Sequence, residues 1–157
     1  MTAFVHPTAH IEDDVELGEG THVWHQGHIR TGAVLGAGCN LGKNVFVGPS
    51  AVFTNDRYPR AFSSDWEVVE THVRRGASIG ANATLICGIE IGEYAVVAAG
   101  SVVPKSVRPH QIVMGNPARH YAWACTCGRV VSRETDPPAD LRCAHCLGAA
   151  EPKELSR

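Results

Sequence analysis

Four cysteines crowd the end of the chain in two close pairs, Cys125-Thr126-Cys127 and Cys143-Ala144-His145-Cys146. Four thiolates in two such pairs suit a tetrahedral soft cation, and structural zinc is the expected one. Gly128 and Gly148 follow the two pairs and fit the tight turns of a zinc ribbon. The first pair has one intervening residue rather than two, so a disulfide pairing and a disordered tail stay open as alternatives. With cysteine at all four positions no coordination site is left over, and no catalysis is expected there. A tail of about 30 residues with few apolar groups needs a staple of this kind to hold a shape. The two remaining cysteines, Cys39 and Cys87, are isolated. That spread does not suit a disulfide scaffold and points to a reducing, cytoplasmic setting.

A second group of reactive side chains lies early in the chain, in His22-Val23-Trp24-His25-Gln26-Gly27-His28. An imidazole near its ordinary pKa can accept a proton from an attacking nucleophile. His25, His28 and His72 are candidates for that role, and Asp56 is the carboxylate option. A purely structural role for His25 and His28 is the competing reading.

What must position these groups is a repeat. Stepping by six from Val5 meets Ile11, Leu17, Val23, Ile29, Leu35, Leu41, Val47 and Phe53, and the pattern resumes with Val73, Ile79, Leu85, Ile91, Val97 and Val103. Two positions earlier the side chains are mostly small, as at Ala9, Thr21, Gly27, Ala33, Cys39, Ala51, Ala77, Ala83, Ala95 and Ser101. A period of six fits neither an α-helix nor an alternating strand. It fits a prism in which each unit makes one short strand and one corner. Three units close a turn of about 18 residues, and turns stack about 4.8 Å apart as parallel strands. The expected fold is an all-β parallel β-helix of about five turns. Between Phe53 and Val73 the period is lost, and Asn55-Asp56-Arg57-Tyr58-Pro59-Arg60, Phe62 and Trp66 read as a protruding loop, 54–72. The expected division is a β-helix domain over 1–120 and a Cys-rich, zinc-ribbon-like tail over 121–157.

Bulk properties narrow the function class. The chain has 157 residues, 44% apolar and 19% charged, with a formal net charge of −2. That balance argues against a general nucleic-acid binder. No run approaches the ~20 apolar residues of a membrane span, and no secretory signal is visible at the N-terminus.

The spacing and its small-residue companions resemble the hexapeptide-repeat acyltransferases over about residues 3 to 120. That resemblance implies a left-handed coil, a homotrimer, and coenzyme A bound between neighbouring prisms with acetyl-CoA as co-substrate. The strings Gly80-Ala81-Asn82-Ala83-Thr84, Ala98-Ala99-Gly100-Ser101-Val102-Val103-Pro104-Lys105 and Gly115-Asn116-Pro117-Ala118-Arg119 are similar to those that line the coenzyme groove in that family. The implied contacts are Ala81, Ala99 and Gly100 along a smooth wall, with Lys105, Arg108 and Arg119 at the phosphates.

Three further strings narrow the resemblance: Trp24-His25-Gln26-Gly27-His28, Asn44-Val45-Phe46-Val47-Gly48 and Gly48-Pro49-Ser50-Ala51-Val52-Phe53-Thr54-Asn55. They are similar to the N-acetyltransferases of nucleotide-linked 3-amino sugars in bacterial surface-polysaccharide synthesis. By that resemblance Asn55 lies at the acceptor sugar, with His25, His28 and Asp56 as further catalytic candidates. Asn44, Arg57, Tyr58 and Arg60 would face the nucleotide sugar. The chain departs from the subgroup in merging the second and third strings through Gly48, where extra turns are expected. That shortening moves His25 and His28 along and around the prism relative to Asn55. γ-Class carbonic anhydrases share the fold and bind zinc through three histidines, but His22 and His28, six apart, fall on adjacent faces and cannot easily converge with His25 in one chain.

Overall fold

The computed structural model describes residues 2–62 and 67–148. Fifteen two-residue strands wind around three faces. The first face stacks β1 (Phe4–Val5), β4 (His22–Val23), β7 (Asn40–Leu41), β10 (His72–Val73) and β13 (Glu90–Ile91). The second stacks β2 (His10–Ile11), β5 (His28–Ile29), β8 (Phe46–Val47), β11 (Ser78–Ile79) and β14 (Val96–Val97). The third stacks β3 (Glu16–Leu17), β6 (Val34–Leu35), β9 (Val52–Phe53), β12 (Thr84–Leu85) and β15 (Val102–Val103). Every pairing within the coil is parallel and in register, as in Val5 against Val23 and Val23 against Leu41.

The six-residue code explains this packing. The second residue of each strand points inward, and from Val23 to Val103 every one of them is at most 2% exposed. Each such aliphatic side chain contributes about 1.5–3 kcal/mol by leaving water. The small residues two positions earlier are buried beside them, Ala33, Ala51, Ala77 and Ala83 among them. The corners turn through left-handed backbone, carried by non-glycine residues at Asp14, Gln26, Asn44, Ser50, Asn82, Tyr94 and His110 as well as by glycine. Gly48 and Gly80 serve a different need. A Cβ at Gly48 would lie 2.6 Å from the Ala81 nitrogen, and one at Gly80 would lie 2.4 Å from the Ala99 nitrogen. Stacked turns come too close there for any side chain.

His72–Val73 stacks directly on Asn40–Leu41. The segment after Phe53 is therefore an insertion at the corner between the third and first faces, and the coil resumes in register beyond it. Trp66 and its neighbours, 63–66, lie outside the described residues.

The coil runs further than the expected five turns. Val107 bridges Ile91 on the first face. On the second face β16 (Gln111–Gly115) sets Ile112 against Val96 and Val113 against Val97. Val107 and Val113 keep the six-residue spacing, but the step from Val103 to Val107 is four, so the period slips by two where the sixth turn begins. The chain then reverses through a cis Asn116–Pro117 bond. Strand β17 (Ala118–Ala124) returns antiparallel to β16, and β18 (Val130–Ser132) pairs with β17. A domain boundary at 120/121 would fall inside β17; the start of the tail is the edge of the second face's sheet. Among the described residues no helix is long and apolar enough to cross a membrane.

Candidate active site

The slipped sixth turn opens a cleft. Its volume is about 370 Å³, and it lies between the segment Val103–Val107 and the β16–β17 hairpin. Lys105 and Arg119, both expected at coenzyme phosphates, line it together. Ala81, Ala99 and Gly100 lie instead along the edge between the second and third faces, where Gly100 N–H donates to the Ala81 carbonyl at 2.8 Å. Ala99 and Gly100 are exposed and present a strip of bare backbone.

Gln111 and His120 also line the cleft, and no motif in the sequence singled them out. The chain of bonds between them fixes their orientation. Arg108 N–H donates to Gln111 Oε1 at 3.0 Å. Gln111 Nε2 lies 3.1 Å from His120 Nδ1, and His120 Nε2 lies 2.9 Å from the Glu134 carbonyl. A carbonyl only accepts, so Nε2 carries the imidazole proton and Nδ1 accepts from the Gln111 amide. By sequence the repeat ends at Val103; the six-residue spacing from Val107 to Val113 is the signal that could have marked this wall as a further rung.

Asn55 sits half-buried at the root of the insertion. Three hydrogen bonds tie that root to the prism and to the returning segment. Cys87 N–H donates to Thr54 Oγ1 at 2.9 Å, Arg57 Nη1 donates to the Cys87 carbonyl at 2.9 Å, and Val69 N–H donates to the Asn55 carbonyl at 3.1 Å. Asp56 Oδ1 accepts from Tyr58 N–H at 2.8 Å and shapes the turn. Beyond this root the loop is open: Tyr58 is 78% and Phe62 88% exposed, and Arg60 donates to the carbonyl of Pro59 next to it.

The histidines occupy other positions. His25 is exposed at the corner between the first and second faces, its ring 3.7 Å from that of His6, and Asn44 stacks above it through a 3.0 Å bond to the His25 carbonyl. His28 points outward from the second face. Its Nε2 meets Glu12 Oε1 at 3.0 Å, and Arg30 Nε lies 2.6 Å from the same oxygen. The Arg30 guanidinium and the Thr31 amide hold the Glu12 carboxyl down to about 2. His10, Glu12 and His28 bring donor atoms within 4.8 Å of one another, but Arg30 already supplies the cation there. Within one chain, therefore, Asn55, His25 and His28 lie at two different corners and on a third location, the second face.

Cys125, Cys127, Cys143 and Cys146 converge, all four sulfurs within 4.8 Å of one another and Cys127 Sγ 3.5 Å from Cys143 Sγ. Tetrahedral zinc with Zn–S bonds of about 2.3 Å needs sulfurs spaced about 3.8 Å apart, so the donor set fits. The first pair forms a tight knuckle: Gly128 N–H donates to the Cys125 carbonyl at 2.8 Å, and Gly128 has φ of +84°. The second pair sits at the start of a short helix, α1 (Ala144–Gly148), with Cys143 just before it and Cys146 within it, so Gly148 ends a helix where a second tight turn was expected. Residues 143 and 146 are one helical turn apart and so share a face. Burial pushes the Cys125 thiol up, but hydrogen bonds from the Cys127 and Cys143 backbone and from Cys146 outweigh it and bring it to about 6. Cys127, Cys125 and Cys143 push Cys146 up to about 12. Sulfurs this close resist shedding four protons without a cation among them.

The pattern for the bacterial transferase hexapeptide (six repeats) matches residues 70–105. The chain is 36% identical over 162 residues to the dTDP-3-amino-3,6-dideoxy-alpha-D-galactopyranose 3-N-acetyltransferase of Aneurinibacillus thermoaerophilus, covering 80% of this chain and 81% of that protein. The chain belongs to the hexapeptide-repeat acyltransferases. This transferase is also 36% identical over 115 residues to serine acetyltransferase 2 of Arabidopsis thaliana, but spans only 31% of that protein. Among solved structures, a hexapeptide-repeat acetyltransferase of Vibrio cholerae matches it with a TM-score of 0.58 at 28% identity, over 78% of this chain and 70% of that one. The same Vibrio protein in complex with acetyl coenzyme A matches in fold with a TM-score of 0.63 at 24% identity.

Proposed function

We propose that this acyltransferase moves an acetyl group from acetyl-CoA to the amine of a nucleotide-linked 3-amino sugar. The observation that carries the reading is the 36% identity to a dTDP-3-amino-sugar N-acetyltransferase, which runs over 81% of that relative. The cleft that gathers Lys105 and Arg119 supports a polyphosphate-bearing co-substrate.

The neutral amine attacks the thioester carbonyl carbon. A C–N bond forms, the C–S bond breaks, and the thiolate departs with the proton that the amine sheds. The protein's task is to align amine and thioester and to stabilise the oxyanion with a hydrogen-bond donor. Asn55 orients the amine from the tethered loop root, with Asp56 shaping the turn beside it. Tyr58 and Arg60, which extend from the root, and Asn44 contact the nucleotide sugar, while Arg57 keeps one nitrogen on the Cys87 carbonyl. His25 is the histidine with a free edge for the proton, whereas His28 is engaged by Glu12. Asn55 and His25 stand at different corners of one prism, so a site that uses both draws them from two copies of the chain. That requirement supports a homotrimer with the loop reaching a neighbour. The four cysteines hold a structural zinc ion.

The test is thiol release from acetyl-CoA against a panel of UDP- and dTDP-linked 3-amino sugars, with acceptor-free controls. Turnover with one sugar is expected. Asn55→Ala should lower kcat/KM for that sugar by about 100-fold while coenzyme binding persists. Turnover of a simple alcohol or amine and of no sugar would replace this acceptor with the class suggested by the serine acetyltransferase likeness.

A further inference from the structure

The cysteine cluster and the coenzyme cleft are connected by a continuous set of contacts. The His120 ring in the cleft wall is held from outside by the Glu134 carbonyl, which also accepts from Trp123 Nε1 at 2.9 Å. Arg108 lies over the Trp123 ring at 4.6 Å and donates to the Thr135 carbonyl at 3.3 Å. Glu134 and Thr135 thus form an outer brace for His120. Inside, Gln111 closes the network from β16.

On the brace's own segment the contacts are few, Arg133 over the Tyr121 ring at 4.9 Å and Glu134 N–H on Ser132 Oγ at 3.1 Å, and the cysteines fasten its two ends. Just before it, β18 pairs with β17 at Trp123–Ser132 and Ala124–Val130, beside the Cys125–Gly128 knuckle. After it, the chain runs through Pro137 and Pro138 to Cys143 with no strand or helix. The cysteines at 125 and 127 fasten one side of this segment, and those at 143 and 146 fasten the other. A cation joining the four sulfurs closes 125–146 into a loop whose middle presses on the cleft. Without that junction the β17–β18 pairing, the Arg133–Tyr121 contact and single hydrogen bonds are what restrain Glu134 among the described residues.

We propose that the four-cysteine cluster is a metal clasp that sets affinity for coenzyme A, by holding Glu134 where it fixes the His120 ring in the cleft wall. His120 is a positioning residue of that wall, and the clasp acts through it. The inference rests on the cleft as the coenzyme site.

Titration of coenzyme A into the full chain, loaded with one zinc ion or stripped by chelator under reducing conditions, tests it by calorimetry. The expected result is binding about tenfold weaker in the stripped protein, within the usual range of coupling between sites, with the same oligomeric mass and the same β-rich circular dichroism. Equal affinities in the loaded and stripped proteins overturn the proposal. Absence of binding to the loaded protein overturns the cleft assignment, and the clasp proposal with it. If stripping unfolds the prism, zinc-loaded His120→Ala decides: affinity falling to about a tenth supports the clasp, and wild-type affinity with one zinc bound overturns it.

Discussion

The two ends of the prism obey the same six-residue code and fare differently. In the first turn the inward residues of β1, β2 and β3 are not sealed: Val5 is 38% exposed, and Ile11 and Leu17 are only partly buried. At the other end Val103 is 2% and Trp123 1% exposed. The repeat is equally good in both places. What differs is a covering layer, because β16, β17 and the cysteine tail lie over the last turn and no described segment lies over the first. A stacked repeat buries its core only against a neighbour, so its ends need something outside the repeat. In this molecule the covered end is also the one that carries the cleft.

The largest expected effect comes from removing the cover. Trp123→Ala should cost about 4 kcal/mol, the range for a buried aromatic cut back to alanine. It also deprives the Glu134 carbonyl of one donor and removes the surface under Arg108. Chemical denaturation of the variant should show the loss. Hydrogen exchange should show the Val103–Val113 region becoming as unprotected as the first turn. If protection there survives, the cover does not seal this end.

Next comes a matched pair within the coil. Leu85 is fully buried on the third face, and Leu17 occupies the same column two turns below Phe53 in a partly buried setting. Leu85→Ala should destabilise by about 3 kcal/mol and Leu17→Ala by about 1 kcal/mol, because the cost follows the apolar surface that had left water and the cavity that truncation opens. Equal losses in denaturant midpoint would show that the first turn is as tightly packed in solution as the interior.

The coil itself was legible because its code is local and repeated: one large inward residue every six positions, a small residue two before it, and room at the corners. The cysteine cluster was legible from its paired spacing. The sixth turn was not, because the slip between Val103 and Val107 breaks the period where the cleft forms. The insertion's placement became clear only from the register of β10 on β7, since counting residues between Phe53 and Val73 does not say which corner holds the loop. Gln111 and His120 were hidden for another reason. Their importance depends on an antiparallel hairpin that brings positions nine apart side by side and on a carbonyl from the tail. His28 illustrates the converse: its motif was plain, but its partner, Glu12, comes from the turn below and faces it only after stacking.

That partner gives the smallest effect, and it belongs to the open end. Glu12 is ion-paired with Arg30 and accepts from Thr31 and His28 across two turns, and its carboxyl is held at about 2 against an ordinary 4.5. A depressed carboxyl stabilises the fold above its ordinary pKa, and the contribution is lost as pH falls through the folded value. The first two turns should therefore lose protection as pH falls from about 4.5 to about 2, with the Thr31 amide an early reporter. Solvent screens these groups, so the change should be confined to local exchange and leave the global melting transition almost unmoved. Glu12→Gln should remove the acid dependence at Thr31 while sparing exchange around Ile79 and Leu85. Acid dependence persisting in that variant would assign the fraying to other carboxylates of the first turn, Asp13, Asp14 or Glu16, and would leave the open end's weakness a matter of its uncovered apolar face alone.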